Sequence, residues 1–381
     1  MEDVVRIFKE TFNKEPEHVF DCGGRFEILG NHTDHNHGLC LAATCNLKIE
    51  VAVSKRNDNI VNLYSVGYSP ISIDISDLSH KEENDSSKMI KGIVAYLKNN
   101  GYRVGGFDAI SDSTIFPGAG VSSSAAFQMV VAEIFNYFYN NDQIPSIIKC
   151  KAGQYAENNY CNKASGLLDQ IGVSYGDVSY IDFSDINNPK VEQIDFPFDD
   201  LSFVIINTGG SHATLNDLYS AIPRDMHNAA HKCGVSFLNE TNEEIIRANE
   251  DKLTRSEFNR SLHFFGENRR VKDAVEALKN KDKNAFMSLI DESCYSSAHL
   301  LKNMMVENQY EGSPLEAIDI LKKEFKNDVA IKINGGGFAG TVIAVVKNET
   351  IDQFLTFAKE RFGDKNVNVV YVRKERCQLV K

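Results

Sequence analysis

The chain has 381 residues, enough for two domains of ordinary size and a large core. Its apolar share of 42% and charged share of 25% are those of a globular protein, and a formal charge of -12 argues against nucleic acid as the main partner, since phosphate backbones are bound by clustered Lys and Arg. No apolar run reaches the ~18 residues of a membrane span, the eight cysteines form no CxxC pair, and the amphipathic start "MEDVVRIFKETF" lacks the apolar segment of a secretion signal, so a reduced, cytoplasmic protein with no membrane partner is expected.

Taken in chain order, residues 2–12 have helical spacing. The β-rich runs "HVFDCGGRFEIL", "LAATCNLKIEVAV" and "NIVNLYSV" follow, then helical "MIKGIVAYLKNN". A Gly- and Ser-rich loop opens a long helix from Ser124 to about Tyr139, and a second helix runs from Lys149 to about Cys161. "VSYIDFS" and "LSFVIIN" read as buried strands, and Leu215 to about Lys323 is mostly helical. Strands "DVAIKI" and "TVIAVV" flank a glycine run, followed by the amphipathic helix "ETIDQFLTFAKERFG" and a last strand, "VNVVYV". The mixture predicts an α+β protein of two domains, 1–195 and 196–381, with "DINNPKVEQIDFPFDD" as the connector.

Three stretches carry chemistry. The first, "GRFEILGNHTDHNHG", places His32, Asp34, His35 and His37 within six positions. All four are possible metal ligands, but no separated Cys/His/Glu cluster of comparable density completes a site. In the second, "PGAGVSSSAA", Gly118, Ala119, Gly120 and Val121 precede Ser122, Ser123 and Ser124 at a helix start. Small residues let a ligand approach the backbone, the serines are expected to cap the helix, and its free N–H groups favour an anion. No Gly-Lys-Ser/Thr follows at Walker spacing, so this is a different kind of phosphate loop. The third, "NGGGFAGT", matches G-x-G-x-x-G from Gly335 to Gly340, but a strand follows it instead of a helix. A dinucleotide site is therefore rejected in favour of a hairpin turn that allows close packing against a neighbouring loop or ligand.

Together, and in this order, these three stretches resemble the galactokinase family of the GHMP small-molecule kinases over nearly the whole chain. The resemblance implies a two-domain GHMP-kinase-like fold with the active site in the cleft between domains. It implies transfer of phosphate from ATP to the anomeric hydroxyl of galactose by a monomer acting on small molecules. Arg25 and Asp169 would be catalytic. Glu157, twelve residues before Asp169, would hold Mg2+ with Ser123 or Ser124. Residues 118–124 would hold the triphosphate. Asn31, His32, Asp34, Gly166 and Tyr219, the last seven residues after His212, would face the sugar, leaving His35 and His37 as surface or supporting residues.

The pattern is broken in places. The family carries Glu where this chain has Asn31 and Asn where it has Glu27, so the two types are exchanged. An amide offers two donors where a carboxylate offers none, which opens galacturonate or another modified sugar (N-acetylgalactosamine, arabinose) as an alternative. Proline stands at Pro117, one position later than usual, and an expected arginine pair is Ile222-Pro223. The chain has no Trp to stack on adenine. A catalytically silent sugar- and ATP-binding regulator is the reading from a different class, and the presence of Arg25, Asp169 and Glu157 argues against it.

Overall fold

The computed structural model describes residues 2–79, 83–116, 118–163, 165–209 and 215–381. Helix α1 (Glu2–Phe12) buries Val4 and Phe8 on one face. Strands β1 (His18–Leu29), β2 (Leu39–Lys55), β3 (Ile60–Ser65) and β4 (Ile71–Asp74) follow, then helix α2 (Asp85–Asn99) and strand β5 (Phe107–Ser113). Helices α3 (Ser123–Asn140), α4 (Ser146–Asn159) and α5 (Leu168–Ser174) lead to β6 (Val178–Asp182), β7 (Lys190–Ile194) and β8 (Leu201–Asn207). The helical stretch comprises α6 (Asn216–Lys232), α7 (Glu243–Ala248), α8 (Arg255–Lys279), α9 (Lys283–Ser296) and α10 (Pro314–Phe325). Strands β9 (Val329–Asn334) and β10 (Thr341–Lys347), helix α11 (Ile351–Phe362), and strands β11 (Val367–Val370) and β12 (Gln378–Leu379) end the chain.

Among the described residues the strands form two sheets. One runs β12-β1-β2-β5-β3-β4, with β6 joined to β2 and β7 to β6; the other runs β11-β8-β10-β9. Pairing is antiparallel except between β3 and β5. The long β2 pairs with β1 along one edge and with two strands along the other, Leu39–Ala43 beside β6 and Ile49–Lys55 beside β5. Register shifts in β1 lie between Gly23 and Arg25 and between Glu27 and Leu29, next to the residues expected to be functional. Such bulges re-aim side chains.

The "LSFVIIN" strand is apolar throughout because both of its faces are covered. Phe203 and Ile205 join the large core of the first sheet, where the Phe203 and Phe26 rings lie 4.6 Å apart. Val204 and Ile206 face a second core under α10 and α11. The stretch expected as a connector contains β7, whose polar "KVEQI" side chains are largely solvated while its backbone pairs with β6. The C-terminus also crosses back, placing Gln378 and Leu379 beside Asp21 and Phe20. No helix of the described residues is long and apolar enough to cross a membrane.

Candidate active site

Two cavities meet at a shared wall. The larger, about 980 Å³, is lined by Glu27, Asn31, His32, Asp34, His35 and Tyr219 among others. The smaller, about 380 Å³, is lined by the phosphate-loop residues from Gly118 to Ser124, with Asn334 and Thr341. Arg25, Lys163, Asp169, Gly335 and Gly336 border both.

Arg25 and Asp169 are far apart in sequence and adjacent in space. Arg25 comes from β1, just after its first bulge; Asp169 stands in the first turn of α5. The guanidinium donates from Nε to Asp169 Oδ1 at 2.9 Å, with Nη2 at 2.8 Å from the same oxygen, and from Nη1 to the Gly120 carbonyl at 3.1 Å. Ser122 Oγ donates to Asp169 Oδ2 at 2.6 Å. Burial by itself would raise the Asp169 carboxyl; the Arg25 charge and the hydrogen bonds from Ser122 and Arg25 outweigh it and hold the group below the usual carboxylate range. Asp169 is therefore an anion at neutral pH.

The serines do not cap α3 as expected. Ser122 occupies the N-cap position with φ 57°, and among the described residues no side-chain cap is made there. Its hydroxyl goes to Asp169 instead, and the helix start is left open towards the cavity. Gly120 (φ +69°) packs so tightly that an added Cβ would lie 2.3 Å from Thr341 Oγ1. The "NGGGFAGT" stretch is the hairpin between β9 and β10, with Asn334 opposite Thr341. Asn334 Nδ2 donates to the Gly120 carbonyl at 3.0 Å, so the hairpin clamps the phosphate loop. Pro117 and His212 lie outside the described residues.

Behind the loop, Ser124 Oγ donates to Glu157 Oε1 at 3.1 Å, while Ser123 is exposed. Glu157 also accepts from Gln170 Nε2 at 3.4 Å and Lys163 Nζ at 2.8 Å. A buried carboxylate beside a hydroxyl, at the edge of an anion cradle, is the hard-oxygen donor set that suits magnesium. Among the described residues no three His, Cys, Asp or Glu side chains gather as a metal site. His32, Asp34, His35 and His37 turn to different partners: His32 Nε2 lies 2.9 Å from the Gly336 carbonyl, and His37 stacks on Phe237.

At the far end of the larger cavity, Asn31 directs its amide hydrogens to Glu27 (3.1 and 3.3 Å) and the Gly335 carbonyl (2.8 Å). Its Oδ1 accepts from Asn303 at 2.8 Å. Glu27 in turn accepts from Lys332 Nζ at 2.9 Å, a fully buried lysine on β9. Both Asn31 donors thus point at protein. Asp34 is packed so closely against Gly166 that a Cβ there would meet its Oδ2 at 2.6 Å. Burial, then the neighbouring Glu27 and Asp169 charges, push the Asp34 carboxyl up to about 6. Tyr219 lines the cavity as a ring wall, and its hydroxyl donates to the Gly337 carbonyl at 2.6 Å.

Sequence reading misses several residues. Glu267, buried in α8, accepts from the Gly30 N–H (3.0 Å) and from Ser293 (2.7 Å), holding the turn that carries Asn31 and His32. Burial would raise its carboxyl, but Arg270 and other neighbours bring it down to about 2. His35 lines the larger cavity with Nε2 unpartnered among the described residues. No local pattern announces Glu267, Lys332 or Asn303, because each meets the site only through the fold.

Residues 6–55 match the galactokinase galactose-binding signature, and residues 88–177 match the GHMP kinases N terminal domain. The chain is 27% identical over 368 residues to galactokinase of Clostridium perfringens (strain 13), covering 94% of this chain and 92% of that one. It is 26% identical to galactokinase of Fusobacterium nucleatum, covering 96% and 95%. Its fold superposes on Lactococcus lactis galactokinase complexed with galactose with a TM-score of 0.83, at 23% identity, covering 99% and 98% of the two chains. The chain is thus similar to galactokinases of the GHMP kinase superfamily over nearly its whole length.

Proposed function

We propose that the chain transfers the γ-phosphoryl group of ATP to the anomeric hydroxyl of galactose, giving galactose 1-phosphate and ADP. The observation that carries this reading is the Arg25–Asp169 pair in the wall between the sugar-signature cavity and the phosphate-loop cavity. Phosphoryl transfer asks mainly for positioning and charge neutralisation, which such a junction supplies.

The open start of α3 and the loop 118–124 hold the triphosphate through backbone N–H groups. Glu157 and Ser124 would hold magnesium, which would neutralise charge on the phosphate oxygens. Arg25 keeps Asp169 ionised and aimed. Asp169 orients the anomeric hydroxyl. As a weak base it accepts the proton late, once the departing phosphoryl has made that hydroxyl acidic. Asp34 accepts hydrogen bonds from sugar hydroxyls opposite Gly166.

The commitment of both Asn31 donors to Glu27 and Gly335 favours galactose over galacturonate. A C6 carboxylate would meet no free donor from Asn31 and would sit among Glu27, Asp34 and Asp169. A cytoplasmic monomer with domains meeting near residue 195 completes the reading, and the free state of all eight cysteines supports the reduced compartment.

The test is coupled ADP release over a panel of galactose, glucose, galacturonate, N-acetylgalactosamine and arabinose. Galactose should be turned over and galacturonate should not. Turnover of galacturonate in place of galactose would reverse the substrate assignment, and silence across the panel would favour a regulator.

A further inference from the structure

We propose that Lys163 is a further catalytic residue of this site: in the free enzyme its ammonium holds the metal-binding carboxylate of Glu157, and in the ternary complex it moves onto the phosphoryl group being transferred. The proposal rests on the kinase reading above and assigns a residue that reading leaves idle.

Lys163 lies in the loop between α4 and α5. Its backbone N–H donates to the Glu157 carbonyl at 3.0 Å, which fixes its Cα at the end of α4. The side chain returns to the same residue, with Nζ 2.8 Å from Glu157 Oε1. The two partners are unequally buried, the lysine side chain being 55% exposed and the glutamate 2%. A half-exposed ammonium on a flexible stem leaves such a contact at little cost. Glu157 then keeps Ser124 and Gln170 as partners. A divalent cation and an ammonium compete for this oxygen, so occupation of Glu157 by the metal frees Lys163.

The freed group has somewhere to act. Lys163 borders both cavities, beside Asp169 and Arg25. Its charge is among those that keep Asp169 ionised. Arg25 is anchored by three of its five N–H groups, since Nε and Nη2 hold Asp169 and Nη1 holds the Gly120 carbonyl. A lysine has three donors, and one contact to Glu157 leaves two. Lys163 therefore supplies a second positive charge and further donors to the equatorial oxygens in flight, beside an Arg25 held in place by Asp169 and Gly120. It forms no covalent bond.

The test compares wild type with Lys163→Met and Lys163→Arg. In Lys163→Met, kcat should fall by about 10- to 100-fold, the worth of one charge-assisted hydrogen bond, with the KM for galactose within about twofold. Lys163→Arg should recover part of kcat. Independently of turnover, Mn2+ binding followed by electron paramagnetic resonance with ADP present should be severalfold tighter in Lys163→Met, because the competitor for Glu157 is gone. An unchanged kcat, or Mn2+ bound no more tightly, would overturn the proposal and leave the kinase reading standing. Loss of turnover in wild type would instead overturn the kinase reading, and with it the catalytic role of Lys163.

Discussion

The sugar-binding role proposed for Asp34 works against stability at a single residue. Its carboxyl sits near 6 against an ordinary 3.8, so the folded protein holds an ionised Asp34 at a cost above that pH. The sign follows directly: a raised folded-state value means the group favours folding only when protonated, and that contribution is lost as pH rises through about 6. Asp34→Asn removes the cost. It should therefore raise stability at pH 8 by about 3 kcal/mol, the gain shrinking below pH 6, while galactose binding is lost. Calorimetric melting across pH 5 to 8 checks this, and a variant less stable than wild type at pH 8 would refute it. The individual residues of the candidate site were largely legible in the sequence, because Arg25, Asn31, His32 and Asp34 sit in one short stretch and Glu157 and Asp169 in another. Their partners were not. The exchange of Glu27 and Asn31 was visible, but that Lys332 neutralises Glu27 and that Asn31 gives its donors to protein required the fold.

Among the elements, the glycine hairpin and the phosphate loop act as one unit. Asn334 and Thr341 close the hairpin and press on Gly120, whose positive φ only glycine adopts without strain. Gly120→Ala should cost about 1–2 kcal/mol in backbone strain, besides displacing Thr341. Urea denaturation should show that loss and calorimetry should show weakened ATP binding; unaltered ATP affinity would mean the loop does not hold the nucleotide. Long periodic elements, such as β1, β2 and α3, were readable from side-chain pattern. The short α5, the polar β7 and the two-residue β12 were not, since backbone pairing and neighbours define them more than their own side chains do.

Across the whole molecule, the two sheets are joined through their active-site edges. The large core runs from the first sheet through α8 and α9 onto one face of the second. The buried Glu27–Lys332 pair links β1 to β9 beside the cavity, and Arg25 ties β1 to both α5 and the phosphate loop. A sugar and a nucleotide bound in the two cavities would thus meet at Asp169. The most direct measurement is on Asp169→Asn: single-turnover sugar phosphorylation beside calorimetric ATP affinity. The rate should fall by at least about 10²-fold, as for loss of a positioned acid–base group, with ATP affinity within about threefold of wild type; a near-normal rate would contradict the account.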